Sequence, residues 1–345
     1  MRDPSTEPAR ARGGGVPLAV TAPLAGCTAR ESLEIAQRAR DWGYRAVWGS
    51  EVDGPDAFTL LGALAATTDL DLGVGVVPVQ TRTAFTLGMT AVSLAQLSGG
   101  RFVLGIGASS EVLVSRFGGQ PFERPLQNLR EAALALRPIL RGERSTFQGR
   151  YVRVGGYKPP TPPPAPVPLF FGSLNPRSLR LAGELADGLC VNQTAPHHVP
   201  AMLDEVRAGA QKAGREIGDF PVMARLFCAV TDDAPAARAA VARTFSAYVA
   251  TSVYNRFYRW MGYEAEAEAI ARAAAANDRD AMAAAFTDRM AQDLFVIGGA
   301  GAVVARLRDY VDAGITIPVV APLAPGADAA AATLREIGAR WSARS

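Results

Sequence analysis

The sequence has few of the side chains that build metal centres and nucleophilic sites. It contains only two histidines, His197 and His198, and three cysteines that lie far apart, Cys27, Cys190 and Cys228. None of them has the spacing of zinc ligands, and three distant cysteines do not suggest a disulfide framework. No Ser-His-Asp order and no Walker loop is visible either. The sequence therefore predicts no metal site and none of these catalytic arrangements.

Charge of one sign and long apolar runs are also limited. The formal net charge is +3, which is too small to indicate a nucleic-acid partner, and the only lysines are Lys158 and Lys212. No uninterrupted apolar run reaches the length of a membrane span, and no charged and then apolar leader is visible. We therefore expect a soluble, cytoplasmic protein. Residues 1–15, with proline, arginine and three consecutive glycines, are expected to be a disordered segment.

The segment from Leu72 to Ser110 has the pattern of a strand, a helix and a second strand. Leu72–Val77 and Arg101–Gly107 are short runs rich in apolar residues and glycine, typical of strands buried on both faces. Between them, apolar residues follow helical spacing from Thr83, a plausible N-cap, to Leu97. This order predicts a βαβ unit with parallel strands.

Glycine occupies unusual positions in this unit. Gly73 and Gly75 lie inside the first strand, and Gly105 and Gly107 lie near the end of the second. Glycine weakens a strand, so it indicates a bulge or the close approach of a ligand to the backbone. Tight packing inside a barrel is the alternative. Small residues follow at 108–110, at the carboxyl end of the strand, where parallel α/β proteins bind ligands.

The whole chain repeats this strand and helix pattern. We predict eight strands, near residues 16–22, 46–49, 72–77, 101–107, 167–171, 189–192, 221–230 and 316–321. Helices are predicted between most of them, one beginning at Pro55 and another covering 121–143. Eight such units are typical of a (β/α)8 TIM barrel. A doubly wound sheet is the alternative, but Leu104–Glu111 lacks the third glycine of a dinucleotide fingerprint.

The length exceeds the roughly 250 residues of a typical barrel, so insertions are expected. A hairpin near 145–158 and a helical block near 234–292 account for the excess within a single domain, residues 16–345. Residues 159–168 contain seven prolines, a composition that suits a domain linker, but a buried strand is predicted to resume at 167.

Several motifs resemble those of the bacterial luciferase-like superfamily. The residues that carry the resemblance are Val47-Trp-Gly-Ser-Glu51, Gly54-Pro-Asp-Ala-Phe58, Leu72-Gly-Val-Gly-Val-Val-Pro78, Thr81-Arg-Thr83, Leu97-Ser-Gly-Gly-Arg-Phe-Val-Leu-Gly-Ile-Gly107 and Ala182-Gly-Glu-Leu-Ala-Asp-Gly188. They are most similar to the coenzyme F420-dependent oxidoreductases, on the branch that resembles methylenetetrahydromethanopterin reductase. The resemblance covers roughly residues 16 to 325 and implies an enzyme that transfers a hydride.

The resemblance also implies where the cofactor binds. A non-prolyl cis peptide in a bulge on the third strand supports the cofactor ring in this family, and it maps onto Gly75 and Val76. The cofactor phosphate lies against the loops after strands four and five, which here are Gly107, Ala108, Ser109 and Ser110 and then Gly172, Ser173 and Leu174. Backbone N–H groups near the helix that follows would form an anion site. Arg177 would add charge there, or it is an ordinary exposed arginine.

The family often carries an acidic residue followed by histidine at the end of strand two. Glu51 matches the acidic position, so the resemblance implies contact with the ring or a proton relay, with a salt bridge at the barrel rim as the alternative. Val52 stands where the histidine would be. This departure argues against alcohol oxidation and favours reduction of a C=C, C=N or C=O bond, which needs chiefly positioning.

Candidates for the substrate pocket follow from position in the barrel. Asn192 and Gln193 end strand six and Arg225 lies in strand seven, so they line the pocket or belong to a hydrogen-bonded core. The block 234–292 contains aromatic residues, among them Tyr254 and Trp260, that form either core or a lid selecting the substrate. His197 and His198 are substrate contacts or, as the favoured alternative, exposed loop residues.

Three functional classes remain open from the sequence. The favoured one is an F420-dependent oxidoreductase with a small organic substrate. The second is an FMN-dependent monooxygenase that works with a separate flavin reductase. The third is a cofactor-binding protein without catalysis. A homodimer, formed through the helices after the early strands, is expected from the resemblance alone.

Overall fold

All eight predicted barrel strands form and pair side by side in a closed parallel ring. The computed structural model describes residues 16–52 and 54–343, so the prediction for residues 1–15 lies outside the described residues. In chain order the strands are β1 (Ala19–Ala22), β2 (Ala46–Gly49), β3 (Asp71–Pro78), β4 (Phe102–Gly107), β5 (Ser145–Gln148), β6 (Arg153–Tyr157), β7 (Leu169–Gly172), β8 (Gly188–Asn192), β9 (Val222–Val230), β10 (Val296–Gly298) and β11 (Ile317–Pro322). The ring order is β1, β2, β3, β4, β7, β8, β9 and β11, and β11 pairs again with β1. The (β/α)8 prediction is confirmed.

Helices connect these strands. They are α1 (Ala29–Arg38), α2 (Ala57–Thr67), α3 (Ala84–Leu97), α4 (Pro125–Leu140), α5 (Pro176–Leu185), α6 (Val199–Lys212), α7 (Ala234–Ala250), α8 (Ser252–Trp260), α9 (Glu264–Ala275), α10 (Arg279–Ala285), α11 (Asp288–Leu294), α12 (Ala300–Asp312) and α13 (Ala327–Ser342). The caps follow local chemistry: Thr28 and Glu31 form the capping box of α1, and the Thr83 hydroxyl accepts from the backbone N–H of Thr86.

Two predicted helix boundaries are wrong. Helix α2 begins at Ala57 rather than Pro55, because the Asp56 carboxylate accepts the backbone N–H of Thr59 and so acts as the N-cap. Helix α4 is shorter than 121–143 and begins at Pro125, because Arg124 before it has a left-handed backbone with φ of 42°. An allowed first-turn proline thus marks the start of α4 but not of α2.

Two elements were missed by the sequence interpretation. A π-helical turn, Val112–Phe117, follows β4, and β10 pairs in parallel with the end of β9 beyond the point where β11 leaves it. Both are short and carry no periodicity that a window of ten or more residues detects. Their position beyond the ends of barrel strands extends the rim on that face.

The predicted insertions are present. The hairpin consists of β5 and β6, which pair antiparallel outside the barrel sheet. The helical block comprises α7 to α11. The proline-rich segment lies against the barrel's outer helices, since the Gln96 amide on α3 donates to the carbonyl oxygens of Thr161 and Pro162. Within the described residues, no helix is both long and apolar enough to span a bilayer.

Candidate active site

The barrel interior holds its own apolar cluster, separate from the larger core between strands and helices. We call it the lower layer; it consists of Ala19, Ala46, Trp48, Phe170, Cys190, Met223 and Val319. The Trp48 and Phe170 rings lie 5.7 Å apart, centroid to centroid. At this level the barrel is a packed core, as expected for the fold.

Residues two positions further along each strand must also face inward, because side chains alternate between the two faces of a strand. These residues form the upper layer: Thr21, Ser50, Gly107, Gly172, Asn192, Arg225 and Ala321. The upper layer is polar or small throughout. It lies at the carboxyl ends of the strands, the face where barrels of this type carry their ligand sites.

A bulge in β3 shapes one side of this face. The strand register with β4 shifts between Val74 and Val77, and the Gly75–Val76 peptide is cis, as the resemblance implied. The Val76 side chain then projects beside β4 and β7. A Cβ added at Gly107 or Gly172 would lie only 2.6 or 2.9 Å from its methyl groups. These two glycines therefore make room for Val76, which forms an apolar floor at the mouth.

The other strand glycines are explained by packing within the barrel. A Cβ at Gly73 would lie 2.7 Å from the Trp48 ring, and one at Gly75 would overlap the methyl group of Met223. At Gly105 it would overlap a carbonyl oxygen of β3. The expected bulge is confirmed. Tight packing, the alternative to a ligand at the backbone, accounts for Gly73, Gly75 and Gly105.

Among the described residues, buried polar atoms without a hydrogen-bond partner are concentrated at the same end of the barrel. They are both amide atoms of Gln80, Oδ1 of Asn192, Nε2 of Gln193 and Nε of Arg225, and two more occur on His198 and Arg308. Gln80 follows β3 and Gln193 follows β8. Since buried polar groups are normally paired, this concentration indicates a site where a ligand supplies the partners.

Arg225 is the one guanidinium of the upper layer. Its Cζ atom lies 5.0 Å from the centre of the Phe227 ring, and burial lowers its pKa from the ordinary arginine value. Within the described residues it forms no ion pair with a carboxylate. A half-buried cation without a counter-ion is costly, so an anionic or strongly polar ligand group would stabilise it.

Helix α8 of the helical block lies across the carboxyl end of β8. The Asn192 amide donates to the Tyr254 hydroxyl at 3.2 Å, and the Tyr258 hydroxyl donates to Oε1 of Gln193 at 2.5 Å. Gln193 has a left-handed backbone with φ of 50°, an uncommon conformation for a residue with a side chain. These contacts place α8 beside the upper layer, in the position of a lid.

Glu51 lies in a salt bridge at the rim. Its two carboxylate oxygens accept from Arg82, at 3.1 Å from Nε and 2.5 Å from Nη2. Arg82 also pairs with Asp56 and lies over the Phe58 ring. The hydrogen bond that Arg82 donates to Glu51 raises the pKa of Arg82. The Glu51 backbone N–H donates to the carbonyl oxygen of Val76, which links this residue to the floor.

The two predicted phosphate loops already use some of their polar groups in hydrogen bonds within the protein. After β4, Ser109 has φ of 59°, and Ser110 accepts the backbone N–H groups of Leu113 and Val114 in the π-helical turn. After β7, the Ser173 hydroxyl donates to the Ser178 carbonyl and its backbone N–H donates to Cys190. Arg177 is exposed in the first turn of α5. Phosphate binding by these loops stays a prediction.

Comparison with known proteins agrees with this geometry. A family model described as luciferase-like monooxygenase matches residues 13–316. The chain belongs to this luciferase-like family. The prediction of a luciferase-like enzyme is therefore confirmed.

Two curated relatives of this luciferase-like protein cover most of its length. The 5,10-methylenetetrahydromethanopterin reductase of Methanolobus tindarius is 30% identical over 86% of this chain and 91% of its own. A putative coenzyme F420-dependent oxidoreductase of Mycobacterium tuberculosis is 29% identical over 83% and 89%. The solved structure of coenzyme F420 dependent tetrahydromethanopterin reductase from Methanopyrus kandleri has a TM-score of 0.76 at 22% identity, over 94% of this chain and 97% of its own, which supports the fold.

Some predicted residues of the luciferase-like site lie away from the upper layer. Trp260 is one third exposed, packs near Phe257, and points about 120° around the α8 axis from Tyr254. His197 is exposed, but His198 is half-buried, because its Nε2 lies 2.6 Å from the carbonyl oxygen of Met261. The expectation of two exposed loop histidines is therefore wrong for His198.

Sequence reasoning missed Gln80, Arg82 and Tyr258. Arg82 lies within the quoted motif Thr81-Arg-Thr83, so its position at the end of β3 was a usable signal. Gln80 follows the same strand and had no motif. Tyr258 lies among the aromatic residues of the block 234–292, and only the fold brings its hydroxyl to Gln193.

Proposed function

We propose that this protein is a coenzyme F420-dependent oxidoreductase that transfers a hydride between the deazaflavin and a small organic substrate. The direction we assign is reduction of a C=C, C=N or C=O bond. The observation that carries the proposal is the carboxyl end of the barrel, where unpartnered polar atoms and the floor made by Val76 lie on one face. The relatives named above as F420-dependent proteins support the choice of cofactor.

The residues at the mouth fit a flat, polar-edged cofactor ring. Val76 offers an apolar surface, and the absence of side chains at Gly107 and Gly172 lets Val76 pack against β4 and β7. The unpartnered amide of Gln80, on the loop after β3, offers both a donor and an acceptor to the edge of such a ring. When bound, the deazaflavin supplies the hydride-donating group.

The loops after β4 and β7 are proposed to hold the cofactor's phosphate. The left-handed Ser109 turns the backbone between β4 and the π-helical turn, and α5 begins just after Leu174. Backbone N–H groups near the start of a helix favour an anion, and Arg177 adds positive charge at the same end. Ser173 contributes shape rather than hydrogen bonds, since its own groups are engaged.

The assignment of reduction rests on what stands beside the ring. Val52 follows Glu51, so the acid or base that histidine would supply there is absent from that position. Burial raises the pKa of Tyr254, so its hydroxyl keeps its proton, while its oxygen accepts from the Asn192 amide. Glu51 orients Arg82 and the Val76 carbonyl and thereby positions the floor. Reduction needs positioning above all.

The test is a side-by-side titration of the protein with F420 and with FMN, followed by calorimetry or by cofactor fluorescence. We expect tight binding of F420 and weak binding of FMN. A preference for FMN would overturn the proposal in favour of a monooxygenase fed by a separate reductase; the description of the matching family names a monooxygenase. Binding of neither cofactor would overturn both.

A further inference from the structure

We propose that the substrate of this site carries a carboxylate, and that Arg225 binds it together with the hydroxyl of Tyr254. This inference rests on the proposed function, since it names the substrate class of the same site. In this proposal the substrate lies against the polar residues Asn192 of β8 and Arg225 of β9. The cofactor lies against Val76, on the side of β3, β4 and β7.

The first support is the position of Arg225. It lies two residues beyond Met223, whose methyl group reaches the barrel interior at Gly75, so the Arg225 side chain faces inward one level higher. Its Nε–H is buried and has no acceptor. A guanidinium presents Nε and Nη in a fork that matches the two oxygens of a carboxylate. Since no carboxylate of the described residues pairs with Arg225, the barrel interior offers a site for the anionic group of a ligand.

The second support is the neighbour of Arg225 on the next strand. Asn192 pairs in register with Arg225, and its amide donates to the Tyr254 hydroxyl. That leaves the hydroxyl hydrogen of Tyr254 free to donate. The other amide atom of Asn192, Oδ1, is buried without a donor. Two donors and one acceptor therefore converge on one side of the mouth.

The third support is the character of the surrounding surface. Phe227 lies under the guanidinium, and the Tyr248 ring contacts the Tyr254 ring edge to face, with centroids 5.8 Å apart. Aromatic walls with few polar groups suit a planar, apolar body. The substrate class is therefore a small planar or conjugated carboxylate, whose anionic end meets Arg225.

The experiment uses a matched pair of probes, trans-cinnamate and its neutral amide, cinnamamide. Each is titrated into the full-length protein, first alone and then with saturating F420, and binding is followed by calorimetry and by ligand-observed NMR. We expect cinnamate to bind roughly 10- to 100-fold more tightly than the amide, because a hydrogen-bonded charge pair is lost in the amide. Equal binding of the two probes would overturn the inference.

Variants test whether Arg225 causes the preference for cinnamate over cinnamamide. Arg225→Met keeps a long apolar side chain and removes the charge, and it should abolish the preference for cinnamate over the amide. Arg225→Lys keeps the charge without the fork and should retain part of it. The matched control is Arg256→Met, on the exposed side of α8, which should keep the full preference. Retention of the preference in Arg225→Met would also overturn the inference.

Measuring F420 separately distinguishes this failure from that of the proposed function. If F420 fails to bind the wild-type protein, the proposed function fails. If F420 binds the wild type but Arg225→Met loses F420 while still discriminating the probes, the arginine serves the cofactor and the substrate inference fails alone. Intact folding of each variant is checked by its circular dichroism spectrum and melting curve.

Discussion

The lower and upper layers of the barrel interior are built from the same strands, two residues apart, yet they follow opposite rules. The lower layer is apolar, and Trp48, Phe170 and Met223 are buried in it. The upper layer carries Asn192 and Arg225 with polar atoms that lack partners. The first arrangement stabilises the fold. The second lacks the stability that paired polar groups would contribute, but it provides a place for a ligand.

The strand glycines of the two layers make room for different neighbours. Gly73 and Gly105 belong to the lower level, where a side chain would collide with the Trp48 ring or with the backbone of β3. Gly107 and Gly172 lie in the upper layer, where they make room for Val76. Glycine thus admits the Trp48 ring and the β3 backbone at one level and the Val76 side chain at the next.

The largest expected effect is in the lower layer. Replacing Phe170 by alanine should lower the free energy of unfolding by about 3–5 kcal/mol, because the ring is buried against Trp48 and its loss leaves a cavity. Urea denaturation measures the change. Phe117→Ala, on the exposed π-helical turn, is the control and should cost little. A small loss at Phe170 would mean that the interior can collapse and is not a packed layer.

A change of opposite sign is expected in the upper layer. Arg225→Met should raise the free energy of unfolding of the ligand-free protein by about 1 kcal/mol, because it removes a half-buried charge that lacks a counter-ion. Arg256→Met, measured in the same denaturation series, should leave it unchanged. Destabilisation by Arg225→Met would show that the arginine is structural and would remove the contrast between the layers.

An intermediate effect is expected at the rim. Glu51→Gln should lower the free energy of unfolding by about 1 kcal/mol, since it weakens a two-point contact with Arg82 in which both side chains are mostly buried. Glu205→Gln disrupts the more exposed pair with Arg180 and should cost less. Equal losses in thermal or urea unfolding would argue that Glu51 has no special role in holding the loop after β3.

The smallest expected effect is a pH dependence of the unfolding free energy that arises from His198. Burial, followed by the nearby charge of His197, lowers the pKa of His198 from the ordinary value of 6.5. The unfolded chain therefore binds a proton at a pH where the folded protein does not, and stability falls as the pH drops below 6.5. His198→Gln should make the unfolding free energy less sensitive to acid in this range, whereas His197→Gln should reduce that sensitivity only in part, because it removes the smaller of the two causes. Identical pH profiles for wild type and His198→Gln would contradict the assignment.

Short-range patterns were sufficient for the fold. Alternation, glycine stops and caps such as Thr28 and Thr83 depend on neighbours within a few residues, so all eight barrel strands and most helices could be predicted. The missed elements, the Val112–Phe117 turn and β10, are too short to show a period. The start of α2 depended on the capping contact of Asp56, which competes with the preference for proline in a first turn.

The sequence by itself determined the strand order, the family motifs and the place of the bulge at Gly75 and Val76. Only the tertiary structure decided which polar residues remain unpartnered, because hydrogen bonding depends on atoms far apart in the chain. Asn192 meets Tyr254 across 62 positions, and Arg225 faces a barrel interior closed by β11 pairing with β1. The contrast between a filled layer and an open one is therefore a property of the closed barrel.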